Sequence, residues 1–284
     1  MLPLLRILAP SSAVVSLLAL ALVGSLDRAL PAASATEPPA EAPAHTPDPG
    51  VLAQVAEAQV AEAPAADAVT ACPSGMVLVE GDYCPKVEQK CLRWLDGQKG
   101  RFGGFRCAEY APSRCLSAER RPMRYCIDRD EHTRQGESLP DNHASLRIAE
   151  KTCAAEGKRA CRESEWNFAC EGPEMRPYPY GFQRDASACN ADRADLTTPE
   201  GKLIDHRAPP GSHPRCVSPF GVRDMAGNLE EMVARDRPGP TEPAMKGAYW
   251  QPSRNHCRAA QTKHDAWYHG AETGFRCCAD APAR

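Results

Sequence analysis

Fourteen cysteines, all between Cys72 and Cys278, constrain this chain more than any other feature of its sequence. Their number is even and no two are spaced as Cys-x-x-Cys, so disulfide bridges are expected rather than zinc ligation. A disulfide framework implies an oxidising compartment.

The amino-terminal residues agree with that compartment. Arg6 precedes an uncharged run from Ala13 to Leu26, and Ala33-Ser34-Ala35 follows, which is the order of a cleaved signal peptide over residues 1–35. The run of 14 uncharged residues is shorter than the roughly 20 that cross a bilayer, so no transmembrane anchor is expected. No Cys follows it closely enough to carry a lipid. Residues 36–71 are almost entirely Ala, Pro, Glu, Val, Asp and Thr and contain no aromatic side chain. Such a segment cannot bury enough apolar surface to offset its ordering entropy, and it reads as a disordered linker. Residues 72–284 then suffice for one domain with a real core. The formal net charge of -3 and the lack of a basic stripe with interleaved aromatics give no sign of nucleic acid as a partner. The expected location is secreted, periplasmic or within the cell envelope.

Inside the domain, Gly75–Tyr83 and Tyr125–Asp128 read as strands, while Cys84 to Arg121 shows no sustained period and reads as bridged loops. Ala144–Glu156 carries a helical stripe of Leu146, Ile148, Ala149 and Cys153 before Gly157. A second helix is expected from Arg162 to Cys170, with Glu163 in its first turn and Gly172-Pro173 ending it. Each helix offers a Cys to the core. Beyond Cys170, turns dominate as far as Phe220.

Five segments taken in order resemble one family. They are Met76 to Gly81, Ile127 to Thr133, Cys153 through Gly157-Lys158-Arg159 to Glu165-Trp166, Phe220-Gly221 through Asp224-Met225 and Gly227-Asn228 to Glu231, and Gly274-Phe275-Arg276-Cys277. Together they resemble the formylglycine-generating enzymes, or sulfatase-modifying factors. The resemblance implies an α+β fold, the family's variant of the C-type lectin fold, with much irregular chain.

It also implies bridges. Family positions matching Cys153 and Cys277 are joined, as are those matching Cys170 and Cys257. Cys161 and Cys278 remain beside them and are expected to bridge each other, and Cys189 with Cys216 is the next pairing. The six cysteines from Cys72 to Cys126 pair among themselves in one of 15 ways.

The family oxidises a sulfatase cysteine to formylglycine with copper(I) held by two thiolates, soft ligands for a soft ion. The matching segment runs from Lys246 to Cys257 and is shorter, with Pro252 near the place of the first copper ligand and no counterpart of the second. Copper-dependent oxidation is therefore not expected, nor is an iron cofactor. The alternative is an oxidoreductase acting on protein cysteine or another substrate. Its metal centre would lie near the carboxy-terminal loop, formed by Cys257 with another thiol or by His256, His264, His269 and Asp265.

Two further readings follow. The resemblance implies structural calcium on Asp224, Glu231 and the carbonyls of Gly227 and Leu229, and part of a second site at Asn190 and Ala191; the competing reading of Asp224 and Asn228 is that they organise a turn. Tyr249, Trp250, Arg254, His256 and His264, with Arg258, Trp267 and Tyr268 nearby, supply the aromatic and Arg content of a recognition surface for a protein, peptide or glycan. The competing reading places Trp250 in the core. The function expected is an exported domain acting in binding or envelope structure.

Overall fold

The computed structural model describes residues 71–97, 99, 104–237 and 241–283. The expected leader, and all of the expected linker except Ala71, lie outside the described residues. In chain order the elements are β1 (Met76–Tyr83), β2 (Val87–Glu88), β3 (Cys91–Trp94), β4 (Cys107–Tyr110), β5 (Arg114–Cys115), β6 (Arg121–Asp128), α1 (Leu146–Ala155), β7 (Arg159–Ala160), α2 (Glu163–Glu171), β8 (Glu230–Ala234), β9 (Pro243–Lys246), β10 (Ala260–Gln261), β11 (Thr273–Gly274) and β12 (Cys277–Asp280).

Two four-stranded sheets carry the fold. The first has the order β1-β6-β12-β7 and is antiparallel throughout, with Met76 opposite Asp128, Tyr83 opposite Arg121, and Cys278 opposite Ile127. The second has the order β10-β9-β8-β11, with β11 parallel to β8 and the other pairs antiparallel. Val79, Tyr83, Tyr125 and Ile127 of the first sheet meet Trp166, Phe168 and Cys170 of α2, and Val233 and Ala244 of the second sheet, in the main core.

Both helices start where local chemistry favours a start. The Ser145 hydroxyl accepts the Ile148 N–H at 3.2 Å, capping α1, and Leu146, Ala149 and Cys153 form its buried stripe. Ile148 departs from the expected stripe and is 45% exposed. Two residues beyond Leu146, it has turned to the opposite face of the helix. At the start of α2 the Asp236 carboxylate accepts the Ser164 N–H at 2.7 Å and Glu165 accepts that of Arg162 at 2.8 Å, and Gly172, at φ 65°, ends the helix.

Between β1 and β6 the chain forms two small ribbons, β2 with β5 and β3 with β4, where bridged loops were expected. Each ribbon is closed by its own bridge, Cys84–Cys115 and Cys91–Cys107, while Cys72–Cys126 ties the chain before β1 to β6. Residues 172–229 contain no helix or multi-residue strand, only isolated bridges such as Val217 with Arg223. Cys189–Cys216 closes part of this stretch.

Three long-range bridges cross the core. Cys153–Cys277 joins α1 to β12, Cys161–Cys278 joins the residue after β7 to the same strand, and Cys170–Cys257 joins α2 to the carboxy-terminal loop. All six sulfurs belong to residues without solvent exposure. The adjacent Cys277 and Cys278 point to opposite faces of β12 and so reach different partners.

A non-reducing tryptic digest should therefore release one three-peptide species, because Cys277 and Cys278 share a peptide that is linked to both Cys153 and Cys161. Two separate pairs would contradict the arrangement. Replacing Cys153 and Cys277 together by Ala should lower stability by about 2–5 kcal/mol, read from urea unfolding, because that bridge closes a long loop in the unfolded chain.

Candidate functional site

The turn before β8 is built from residues in conformations that few side chains tolerate. Asp224 (φ 58°), Gly227 (φ 87°) and Asn228 (φ 57°) all lie in the left-handed region. A Cβ on Gly227 would stand 2.2 Å from the Asn190 carbonyl oxygen, so this position requires glycine for space as well as for backbone angle. The Asp224 carboxylate accepts the Gly211 N–H at 2.8 Å. The Asn228 carbonyl accepts from Asn190 Nδ2 at 2.9 Å and from Ala208 N at 2.8 Å, and its amide donates to Glu131. Glu131 also accepts the Leu229 N–H at 3.0 Å.

Below the turn, Glu231 and Arg276 form a bidentate pair at 2.7 Å through each arm, and Trp166 Nε1 donates to Glu231 Oε2 at 2.9 Å. Both residues are at most 1% exposed. Burial, then the charges of Glu231 and Asp224, hold the Glu131 carboxyl well above the usual range. Burial also raises that of Asp224.

These contacts bear on the calcium ligands implied by the resemblance. Calcium takes six to eight oxygens from donors free to turn toward it. Both Glu231 oxygens are taken by Arg276 and Trp166, and the positive charge beside this carboxylate is a guanidinium of the same chain. Glu231 is thus engaged with Arg276 and Trp166, while Asp224, Gly227 and Leu229 share the turn above it. Asn190 lies against that turn with its amide donating to His206 O and Asn228 Oδ1 and its carbonyl accepting the Asn228 N–H, while the Ala191 N–H goes to Cys189 O.

The structure divides the expected recognition residues among three places. Trp250 and His256 are core: Trp250 has no solvent exposure, and burial pushes the His256 imidazole down to about 3, so it is neutral. Tyr249 packs edge-on against Trp250, with ring centroids 5.3 Å apart. His264 stacks on Tyr268 at 3.6 Å in an open surface depression that also includes Trp267 and His269. Only Arg254 lines the cavity of about 210 Å³ beside β8, β9 and the carboxy-terminal loop, where its guanidinium lies 5.2 Å from the Phe105 ring centroid. Among the described residues no three His, Cys, Asp or Glu side chains gather as a metal site: His264, Asp265 and His269 border one open depression without forming such a group, and His256 lies apart in the core.

The same cavity contains Glu230, Met245, Gln251 and Asn255, which the sequence reading did not single out. The signal was present: two adjacent Glu residues in a strand must face opposite ways, so Glu230 and Glu231 could not share one role.

A family model for the sulfatase-modifying factor enzyme 1-like domain matches residues 89–281. This chain belongs to that family. The serine/threonine-protein kinase pkn1 of Chlamydia caviae is 28% identical to it over 141 residues, 43% of this chain and 21% of the kinase. The chain thus spans about a fifth of that curated relative's length. Among solved structures, CarF superposes with a TM-score of 0.51 at 13% identity, covering 74% of this chain and 99% of CarF, which is a likeness of fold. PvdO from Pseudomonas aeruginosa gives a TM-score of 0.48 at 16% identity, covering 74% and 95%. The family's C-type-lectin-like α+β fold is the one seen here, stapled by disulfides and largely irregular.

Two measurements test the carboxylate cluster of this family member. Arg276→Met should cost about 3–5 kcal/mol in denaturant unfolding, because it leaves buried carboxylates without their cation. Excess calcium, compared with a chelator, should leave the melting temperature of the parent chain unchanged; a rise would show an ion bound only by the folded state.

Proposed function

We propose that this chain is an exported member of the sulfatase-modifying factor family that serves in ligand binding or envelope structure and does not oxidise cysteine to formylglycine. The observation that carries this reading is the state of its sulfur: all 14 cysteines are joined in seven disulfides. Copper(I) chemistry of the family type needs a pair of thiolates. The segment from Lys246 to Cys257 holds one cysteine, Cys257, which is fully buried and bonded to Cys170. On this reading no thiolate pair is left in the segment to hold copper.

The seven bridges and the apolar leader read from the sequence support export to an oxidising compartment. No helix of the described residues is long and apolar enough to cross a membrane. Binding is supported by the cavity at Glu230 and Arg254 and by Trp267, which is 71% exposed beside the His264–Tyr268 stack. An indole that far out of the core is suited to packing against a protein, peptide or glycan ligand.

The test is incubation of the purified chain with a sulfatase-type cysteine peptide, copper(I) and oxygen, followed by mass spectrometry. No aldehyde product is expected. Denatured, unreduced protein should also present no free thiol to an alkylating reagent. Turnover above a metal-free control, or two titratable thiols per chain, would overturn the reading.

A further inference from the structure

Neighbours in β8, Glu230 and Glu231 project to opposite sides of the strand. Glu231 meets Arg276 in the core, whereas Glu230 lines the cavity of about 210 Å³ whose walls also include Phe105, Met245, Ala248 and Arg254. Among the described residues no hydrogen bond or ion pair reaches the Glu230 carboxyl. Arg254 borders the same cavity, but its guanidinium rests on the Phe105 ring.

What faces Glu230 instead is a like charge. Its backbone N–H donates to the Glu272 carbonyl at 2.8 Å, which brings the Glu272 side chain alongside, and the Tyr268 hydroxyl donates to Glu272 Oε1 at 2.7 Å. Tyr249 is the other titratable group near this pair, and its hydroxyl is pushed up to about 12 by burial and then by the two carboxylates. Burial first and Glu272 second lift the Glu230 carboxyl to about 7. The Glu231 side has a guanidinium to balance its charge. On this side the Arg254 guanidinium stands at the cavity wall without a bond to Glu230, and the cavity is mostly polar, with Phe105 and Met245 as apolar parts of its lining.

We propose that the cavity binds a primary ammonium group of the lysine side-chain type carried by a peptide ligand, with Glu230 as the anchor and Met245 and Phe105 covering the methylene stem. The inference rests on the ligand-binding reading above and adds the chemistry of the ligand. Because the ammonium is held by the ionised carboxylate, binding lowers the proton affinity of Glu230 and releases a fraction of a proton near neutrality. Affinity therefore rises with pH until Glu230 is fully ionised and then levels.

The experiment is calorimetric titration of the full chain with Nα-acetyl-lysine amide from pH 6 to pH 8, in buffers of different ionisation enthalpy. Saturable binding is expected, roughly tenfold tighter at the upper pH, as follows from the change in ionised fraction of a group titrating near neutrality, with net proton release. Glu230→Gln should lose the binding and its pH dependence while keeping the parent's circular dichroism. The probe with its side-chain amine acetylated should not bind. Proton release by the parent needs no variant, so the inference stays testable even if Glu230→Gln misfolds. Absent or pH-indifferent binding, equal binding of the acetylated probe, or unimpaired binding by folded Glu230→Gln would overturn it. A peptide or glycan that binds without regard to Glu230 would remove this inference and leave the binding reading in place.

Discussion

The fold turns on one buried guanidinium. Arg276 has no side-chain exposure, and each of its five N–H donors has an acceptor. Nε and one Nη2 hydrogen go to Glu231, the other Nη2 hydrogen to Arg223 O, and Nη1 to the carbonyls of Asp128 and Arg129. Through these bonds the end of β6, the irregular stretch before β8, β8 itself and the residue before β12 are set against one another. A buried ion pair adds little net stability when an apolar pair of the same volume would serve. Its contribution is to specificity, because shifting any of these segments would leave a buried donor of Arg276 without its acceptor, at the desolvation cost of that group.

Around that hub, covalent and non-covalent constraints divide the molecule. The residues between β1 and β6 bury little and rely on short ribbons stapled by their own bridges. The residues from 172 to 229 form few regular ladders and depend on side-chain caps such as Asp224 on Gly211 and Asn228 on Ala208. The main core, by contrast, packs Trp166, Phe168, Ile127 and Val79 in ordinary fashion, with two of its disulfides embedded in that packing. Cation contact also differs across a single strand, since Glu231 on the inward face of β8 is bonded directly to Arg276, whereas Glu230 on the cavity face shares its cavity with Arg254 without a bond to it.

How much of this was legible follows from the range of each interaction. Helix α1 could be read because Leu146, Ala149 and Cys153 repeat at helical spacing before Gly157, all within a dozen residues, although Ile148 was wrongly counted in the same stripe. The ribbons could not, because strands of two to four residues have no alternation to detect. The resemblance conveyed the long bridges Cys153–Cys277 and Cys170–Cys257, which spacing alone leaves open. It did not convey the partner of Glu231, because Arg276 reaches it across 45 residues and reads locally as part of a terminal motif. Trp250 and His256 were grouped with Arg254 by proximity in sequence, yet the loop sends the first two inward and the third to the cavity wall.

The placement of the two adjacent cysteines in β12 sets an order on maturation. The bridges within Cys72–Cys126 span short separations and can close as soon as that part of the chain is available, whereas Cys153 and Cys161 have no native partner until Cys277 and Cys278 arrive, 124 and 117 residues later. During that interval each waiting thiol can form the wrong bridge. A wrong bridge formed in that interval has to be exchanged before the last strand can pair, so the arrival of β12 sets when these two long bridges can close.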